Sequence, residues 1–128
     1  MHILGIHHVA IICSNYPESR RFYAEVLGFR IIRETFREDR DSWKCDLALA
    51  DGTQIELFSF PEPPVRPSYP EARGLRHLAL AVVHLESEVR RLTAEGINIE
   101  PIRTDELTGK QYTFFADPDG LPIELYEK

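Results

Sequence analysis

The sequence predicts an α+β fold of two tandem βαβββ modules, and three observations carry that reading. The phrases "GIHHVAI" from Gly5 and "GLRHLAL" from Gly74 echo each other, with Gly5/Gly74 and His8/His77 both 69 residues apart. Further on, Gly28/Gly96, Asp51-Gly52/Asp119-Gly120 and Glu56/Glu124 repeat at an offset of 68, so one residue is lost between strand and helix end. Between the copies lies "SFPEPPVRPSYPEARG", whose five prolines block helix and central strand alike and read as a stiff, extended connector. The organisation is therefore one domain: module one 1–60, connector 61–73 and module two 74–128.

Each module opens on a strand, Ile6–Cys13 and Leu75–Val83. The first helix is "PESRRFYAEVLG": Pro17 suits an early helical position, Ser14 or Asn15 can cap, Phe22/Val26 and Tyr23/Leu27 form an apolar stripe, and Gly28 ends it. The second is "LESEVRRLTAEG", with a stripe of Leu85, Val89 and Leu92 and a stop at Gly96. Three strands follow in each module: Arg30–Phe36, Trp43–Ala50 and Thr53–Phe60, then Asn98–Arg103, Gln111–Ala116 and Pro122–Glu127. The Asp-Gly pairs supply the positive φ of the tight turn before each last strand. Tyr69 and Phe60 are expected to pack, and Trp43 and Phe58 to fill the core rather than line a pocket.

Composition narrows the function. The 128 residues are 43% hydrophobic with a net charge of −6 and mixed charges along the chain, which argues against nucleic acid or an anionic membrane as partner. No apolar run is long enough to cross a bilayer, and the N-terminus lacks a signal-peptide layout, so the expected location is cytoplasmic. Cys13 and Cys45 form no CxxC and read as reduced, half-buried thiols, which also rules out a cysteine-rich zinc site.

Strand parity places the polar residues. His8 shares a face with Ile6, Ala10 and Ile12, and His77 with Leu75, Ala79 and Ala81. In "QIELF" and "PIELYE", Glu56 and Glu124 point opposite to the aliphatic pairs Ile55/Leu57 and Ile123/Leu125. A carboxylate in an apolar strand is costly unless compensated. Two imidazoles and two carboxylates facing one hollow suit Ni²⁺, Co²⁺, Mn²⁺, Fe²⁺ or Zn²⁺ with open positions. The competing reading is structural: duplication copies a packed histidine or a solvated glutamate as readily as a ligand. His2, His7 and His84 are weaker candidates, at a frayed terminus, on the opposite strand face and just before the second helix.

The stretches "HHVAIICSNYPESRRFYAEVLGFR", "QIELF", "RHLALAV" and "FFADPDGLPIELYE" resemble the vicinal oxygen chelate superfamily, also called the glyoxalase, bleomycin-resistance and dioxygenase group. The resemblance covers nearly the whole chain and is nearest to small lactoylglutathione lyases (glyoxalase I). It implies paired modules forming a cupped, mostly antiparallel sheet with helices on the outer face. It implies His8, Glu56, His77 and Glu124 as metal ligands, with Glu124 as base and Glu56 assisting. It also implies proton transfer through an enediolate on a 2-oxoaldehyde–thiol hemithioacetal, with a glutathione adduct as the candidate substrate. Arg37, Arg40, Arg66 and Arg73 are the cations available for such an adduct's carboxylates, or are ordinary surface arginines. The alternatives within the superfamily are an epimerase, a dioxygenase, an antibiotic thiol transferase, or a small-molecule binding protein without catalysis. Members are commonly homodimers, and the metal site is expected within one chain or shared across two.

Overall fold

The computed structural model describes residues 1–128, which divide into two compact units, Met1–Pro64 and Val65–Lys128. In the first unit, β1 (His8–Cys13) is followed by α1 (Tyr16–Arg21), which continues as a π-helical turn over Phe22–Val26. Then come β2 (Arg30–Arg37), β3 (Ser42–Ala48) and β4 (Gln54–Ser59). The strands lie in the order β1-β4-β3-β2, with β1 parallel to β4 and the other pairs antiparallel. In the second unit, β5 (Leu78–Val82) and α2 (Leu85–Ala94) precede β6 (Arg103–Thr104), β7 (Gln111–Ala116) and β8 (Pro122–Glu127). Its order, β5-β8-β7-β6, repeats the first topology strand for strand.

The first helix starts where the side chain of Asn15 accepts from the amide of Glu18 at 3.1 Å, with Pro17 in the first turn where no donor is needed. Phe22, Tyr23 and Val26 are buried, as are Ile11, Leu47, Ile55 and Leu57 of the strands. The second unit has the smaller core of Leu85, Leu92, Phe115, Ile123 and Leu125.

The one-residue difference between the modules falls inside the helix. The N-caps Asn15 and His84 are 69 apart, whereas the terminating Gly28 and Gly96 are 68 apart. The extra residue is taken up by the π turn, where the amide of Leu27 reaches back five residues to the carbonyl of Phe22 at 2.9 Å. α2 has no such widening.

Both Asp-Gly turns form. In the second, the buried Asp117 carboxylate accepts from the amides of Asp119 and Leu121 at 2.9 Å each, and Gly120 sits at φ 85°. This is the physical content of the "DPDG" motif.

Several expectations need correction. The opening strands are shorter than the apolar runs: the ladder begins at His8 and at Leu78, leaving Ile6 72% and Leu75 71% exposed. The strand expected at Asn98–Arg103 contracts to Arg103–Thr104, because Pro101 has no amide to donate. Isolated bonds replace the missing ladder: Glu100 N to Phe114 O at 3.0 Å and Thr113 Oγ1 to Glu100 O at 2.7 Å. Trp43 is not a core residue; it remains exposed while stacking on Tyr16 with centroids 5.4 Å apart. Tyr69 is exposed, whereas Phe60 does pack, on Phe58 at 6.0 Å. Cys13 and Cys45 form no disulfide and are fully rather than half buried, and burial pushes the Cys45 thiol up.

Candidate metal centre

Strand pairing fixes which side chains share a face. In the first unit Ala10 pairs with Glu56 and Ile12 with Phe58, so the side of β1 that carries His8 is the side of β4 that carries Glu56. In the second unit Ala79 pairs with Glu124, which sets Glu124 on the same side as His77 at the mouth of β5. The opposite sides hold Ile55/Leu57 and Ile123/Leu125, all buried. The hydrophobic core thus forces the acid of each "IEL" onto the other face.

The two pairs close to short range. His8 Nδ1 lies 3.5 Å from Glu56 Oε2, and His77 Nε2 lies 2.9 Å from Glu124 Oε2. The glutamates are mostly buried, with 15% and 13% of their side chains exposed, and the histidines less so. No group of three or more His, Cys, Asp or Glu side chains gathers at one point, so each unit offers two donors. One imidazole nitrogen and one carboxylate oxygen side by side, without thiolate, match a borderline divalent cation, and each pair is close enough to serve one.

Their surroundings differ. Beside Glu124 the face is aromatic: Phe114 packs edge-on against His77 at 5.1 Å, and Tyr112 stacks on Tyr126 at 6.3 Å. The Tyr126 hydroxyl donates to Asp105 at 2.9 Å and meets the Thr108 hydroxyl. Beside Glu56 the face is charged. Asp46 is the direct cross-strand partner of Glu56, and Lys44 that of Phe58. Lys44 Nζ lies 3.6 Å from Asp46 Oδ1 and 3.7 Å from Glu56 Oε1. Asp46 Oδ2 is buried with no hydrogen-bond partner, and Arg33 Nε lies 3.8 Å from it.

Lys44 and Asp46 escaped the sequence reading, although the alternation in "WKCDLA" sets them on one face; only the register across β3 and β4 puts them beside Glu56. His7 is also corrected. Expected on the strand face opposite His8, it brings its Nδ1 to 3.0 Å from His8 Nδ1. His84 is the N-cap residue of α2 without a side-chain cap bond, and His2 is exposed.

The four candidate arginines divide. Arg37 covers the Phe58 ring at 4.8 Å and donates to Ser42 at 3.0 Å, and Arg40 covers Phe60 at 5.5 Å. Arg66 is structural: it donates to the carbonyls of Leu75 and Arg76 and to Ser68. Arg73 borders a cavity of about 160 Å³ with Arg66, Glu71 and Arg76, which includes neither His77 nor Glu124.

A family model for the Glyoxalase/Bleomycin resistance protein/Dioxygenase superfamily matches residues 5–125. The chain is 58% identical to protein YwkD of Bacillus subtilis (strain 168), with all of both chains covered. It is 54% identical to protein YaeR of Escherichia coli (strain K12), covering 96% of this chain and 95% of that one; both relatives are named as uncharacterized. A crystal structure of a glyoxalase family protein from Enterococcus faecalis matches with a TM-score of 0.92 and 50% identity, over 99% of this chain and 100% of that one. More distant relatives, between 26% and 30% identical, are named as an epimerase, a glyoxylase I and a metallothiol transferase.

Proposed function

From the premise that the chain belongs to the Glyoxalase/Bleomycin resistance protein/Dioxygenase superfamily, we propose that it is a metal-dependent lyase or isomerase that moves a proton between adjacent carbons of a small substrate with neighbouring oxygens. The observation that carries this is the pair of His–Glu contacts, His8–Glu56 and His77–Glu124, at equivalent positions of the duplicated unit. His8, Glu56, His77 and Glu124 would hold one divalent cation, nickel, cobalt, zinc, manganese or iron, with both modules contributing, from one chain or from the two chains of a homodimer. Bound there, the cation supplies Lewis acidity that makes a C–H beside a carbonyl easier to deprotonate.

The residues divide the remaining work unequally. Glu56 is held by His8 on one oxygen and by Lys44 on the other, which favours a fixed position. Glu124 contacts His77 through a single oxygen, leaving the second free to take a proton. Glu124 is therefore the base, and Glu56 the anchor that assists it. Phe114 is the direct cross-strand partner of Glu124.

A hemithioacetal of a 2-oxoaldehyde with glutathione is the first substrate to test, in keeping with the likeness to the Arabidopsis thaliana protein named Glyoxylase I 4, 30% identical over 98% of this chain and 71% of that one. Protein purified without chelator should carry about one metal per site by elemental analysis and form the thioester product. Metal without turnover of this pair would move the assignment to an epimerase or thiol transferase reaction in the same site. Absence of metal, with all four side chains intact, would overturn it in favour of a binding protein.

A further inference from the structure

We propose that the cavity lined by Arg66, Arg73 and Arg76, where the connector meets the approach to β5, holds a phosphate-type oxyanion, free or as a monoester. The cavity includes neither His77 nor Glu124, so the proposal stands apart from the metal-centre reading.

The space measures about 160 Å³ and is also lined by Ser68, Glu71 and Leu75. A molecule of liquid water takes about 30 Å³, so there is room for an anion of phosphate size. The connector is stiff. Pro63, Pro64, Pro67 and Pro70 restrict its backbone, and Ser68 Oγ donates to the carbonyl of Gly120 at 3.2 Å. Arg66 is fixed by its own bonds. Its Nε donates to Ser68 Oγ at 2.9 Å, and its Nη2 to the carbonyls of Leu75 at 2.6 Å and Arg76 at 3.2 Å. Its Nη1 has no partner, which leaves a donor held in a set orientation. Arg73 and Arg76 are exposed. Arg73 has neither a hydrogen bond nor an ion pair. Arg76 has Glu71 3.8 Å from its Nη2, beyond hydrogen-bond range. With 75% and 60% of these two side chains exposed, that pair is weak.

Three cations and one acid therefore line a single cavity, in a chain whose net charge is −6. Uncompensated like charges repel, and an anion among them relieves the repulsion. The number of cations selects the anion. A carboxylate has two oxygens and a single charge, and one guanidinium fork satisfies it. A phosphate group carries more oxygens and a charge near −2, so it engages several arginines at once. Folding does not account for the cluster, because only Arg66 spends its guanidinium on backbone carbonyls. Duplication does not account for it either: at the offset of 69, Arg73 and Arg76 become Leu4 and His7.

The test titrates inorganic phosphate into metal-free protein at fixed ionic strength, followed by calorimetry and by the backbone amide NMR signals of Ser68 and Arg76. The wild type should bind with a Kd of about 1 mM or tighter, and both signals should shift. Arg73→Gln and Arg76→Gln leave the bonds of Arg66 in place. Each should weaken binding about tenfold, the scale of one charge-assisted hydrogen bond. Glu71→Gln removes the competing acid and should tighten it. Arg90→Gln, at an exposed arginine of α2 outside the cavity, should leave it unchanged. Glycerol 3-phosphate separates the sources: tighter binding than phosphate assigns the site to a monoester, and equal or weaker binding to the free ion. Absence of binding by the wild type, unchanged affinity in Arg73→Gln and Arg76→Gln, or an equal loss in Arg90→Gln overturns the proposal. So does displacement of phosphate by glutathione, which would make the cavity a carboxylate subsite.

Discussion

Replacing Glu34 by glutamine should destabilise the first unit without touching the candidate metal centre. Glu34 accepts from Arg20 Nε at 2.6 Å and Arg20 Nη2 at 3.0 Å, and from the Tyr16 hydroxyl at 2.6 Å. The three bonds tie α1 to β2, and Tyr16 in turn stacks on Trp43. Buried charge-assisted bonds contribute about 1.5–3 kcal/mol each, whereas exposed pairs contribute about 0.2–1 kcal/mol. With 37% of Arg20 and 29% of Glu34 exposed, screening removes much of the upper figure. Glutamine keeps the shape but loses the charge, so a loss of about 1.5 kcal/mol is expected, or a fall in Tm of about 5 °C.

Circular-dichroism melts at fixed protein concentration measure this, and a double-mutant cycle with Arg20→Met isolates the pair. The pH dependence has a definite sign. The Arg20 guanidinium, and then the Tyr16 hydroxyl, hold the Glu34 carboxyl below the usual carboxylate range. A carboxyl depressed on folding stabilises above its unfolded value, so the contribution is complete above about pH 5. It is lost as the pH falls through the depressed folded value. The gap between wild type and Glu34→Gln should therefore shrink in acid. A gap at pH 7 below about 0.3 kcal/mol, or one that grows in acid, refutes the reasoning.

Other perturbations have equally definite outcomes. Glu124→Gln should lower kcat about a hundredfold or more while the far-ultraviolet spectrum is retained, as expected for loss of a general base. Chelation should abolish turnover, with nickel or cobalt restoring it, and His77→Ala should retain less metal than wild type after dialysis, read by elemental analysis. Leu57→Ala removes a fully buried side chain from the first core and should cost about 2–5 kcal/mol in denaturant unfolding.

The duplication and the two-residue period made most of this legible. An offset of 68 or 69 and the parity of "IEL" were enough to set Glu56 and Glu124 opposite the aliphatic faces, beside His8 and His77. What pairs across strands was not legible. Asp46 lies beside Glu56 because β3 runs antiparallel to β4 in one register out of several, and no local pattern selects it. Trp43 misled because size suggests a core, yet an aromatic ring can bury one face on Tyr16 and leave the rest in water. The contraction of the expected strand at Asn98–Arg103 was signalled by Pro101.

The π turn in the first helix has a consequence for protein engineering. Helices ordinarily tolerate length changes badly, since a deleted residue rotates everything beyond it by about 100°. Here the surplus residue is already absorbed by the widened turn at Phe22–Val26, and the strands beyond it follow the same order in both halves. Excising Ala24 should let the segment rewind as an ordinary helix and leave two halves of equal span. Gene shuffling between the halves could then proceed with a common length template.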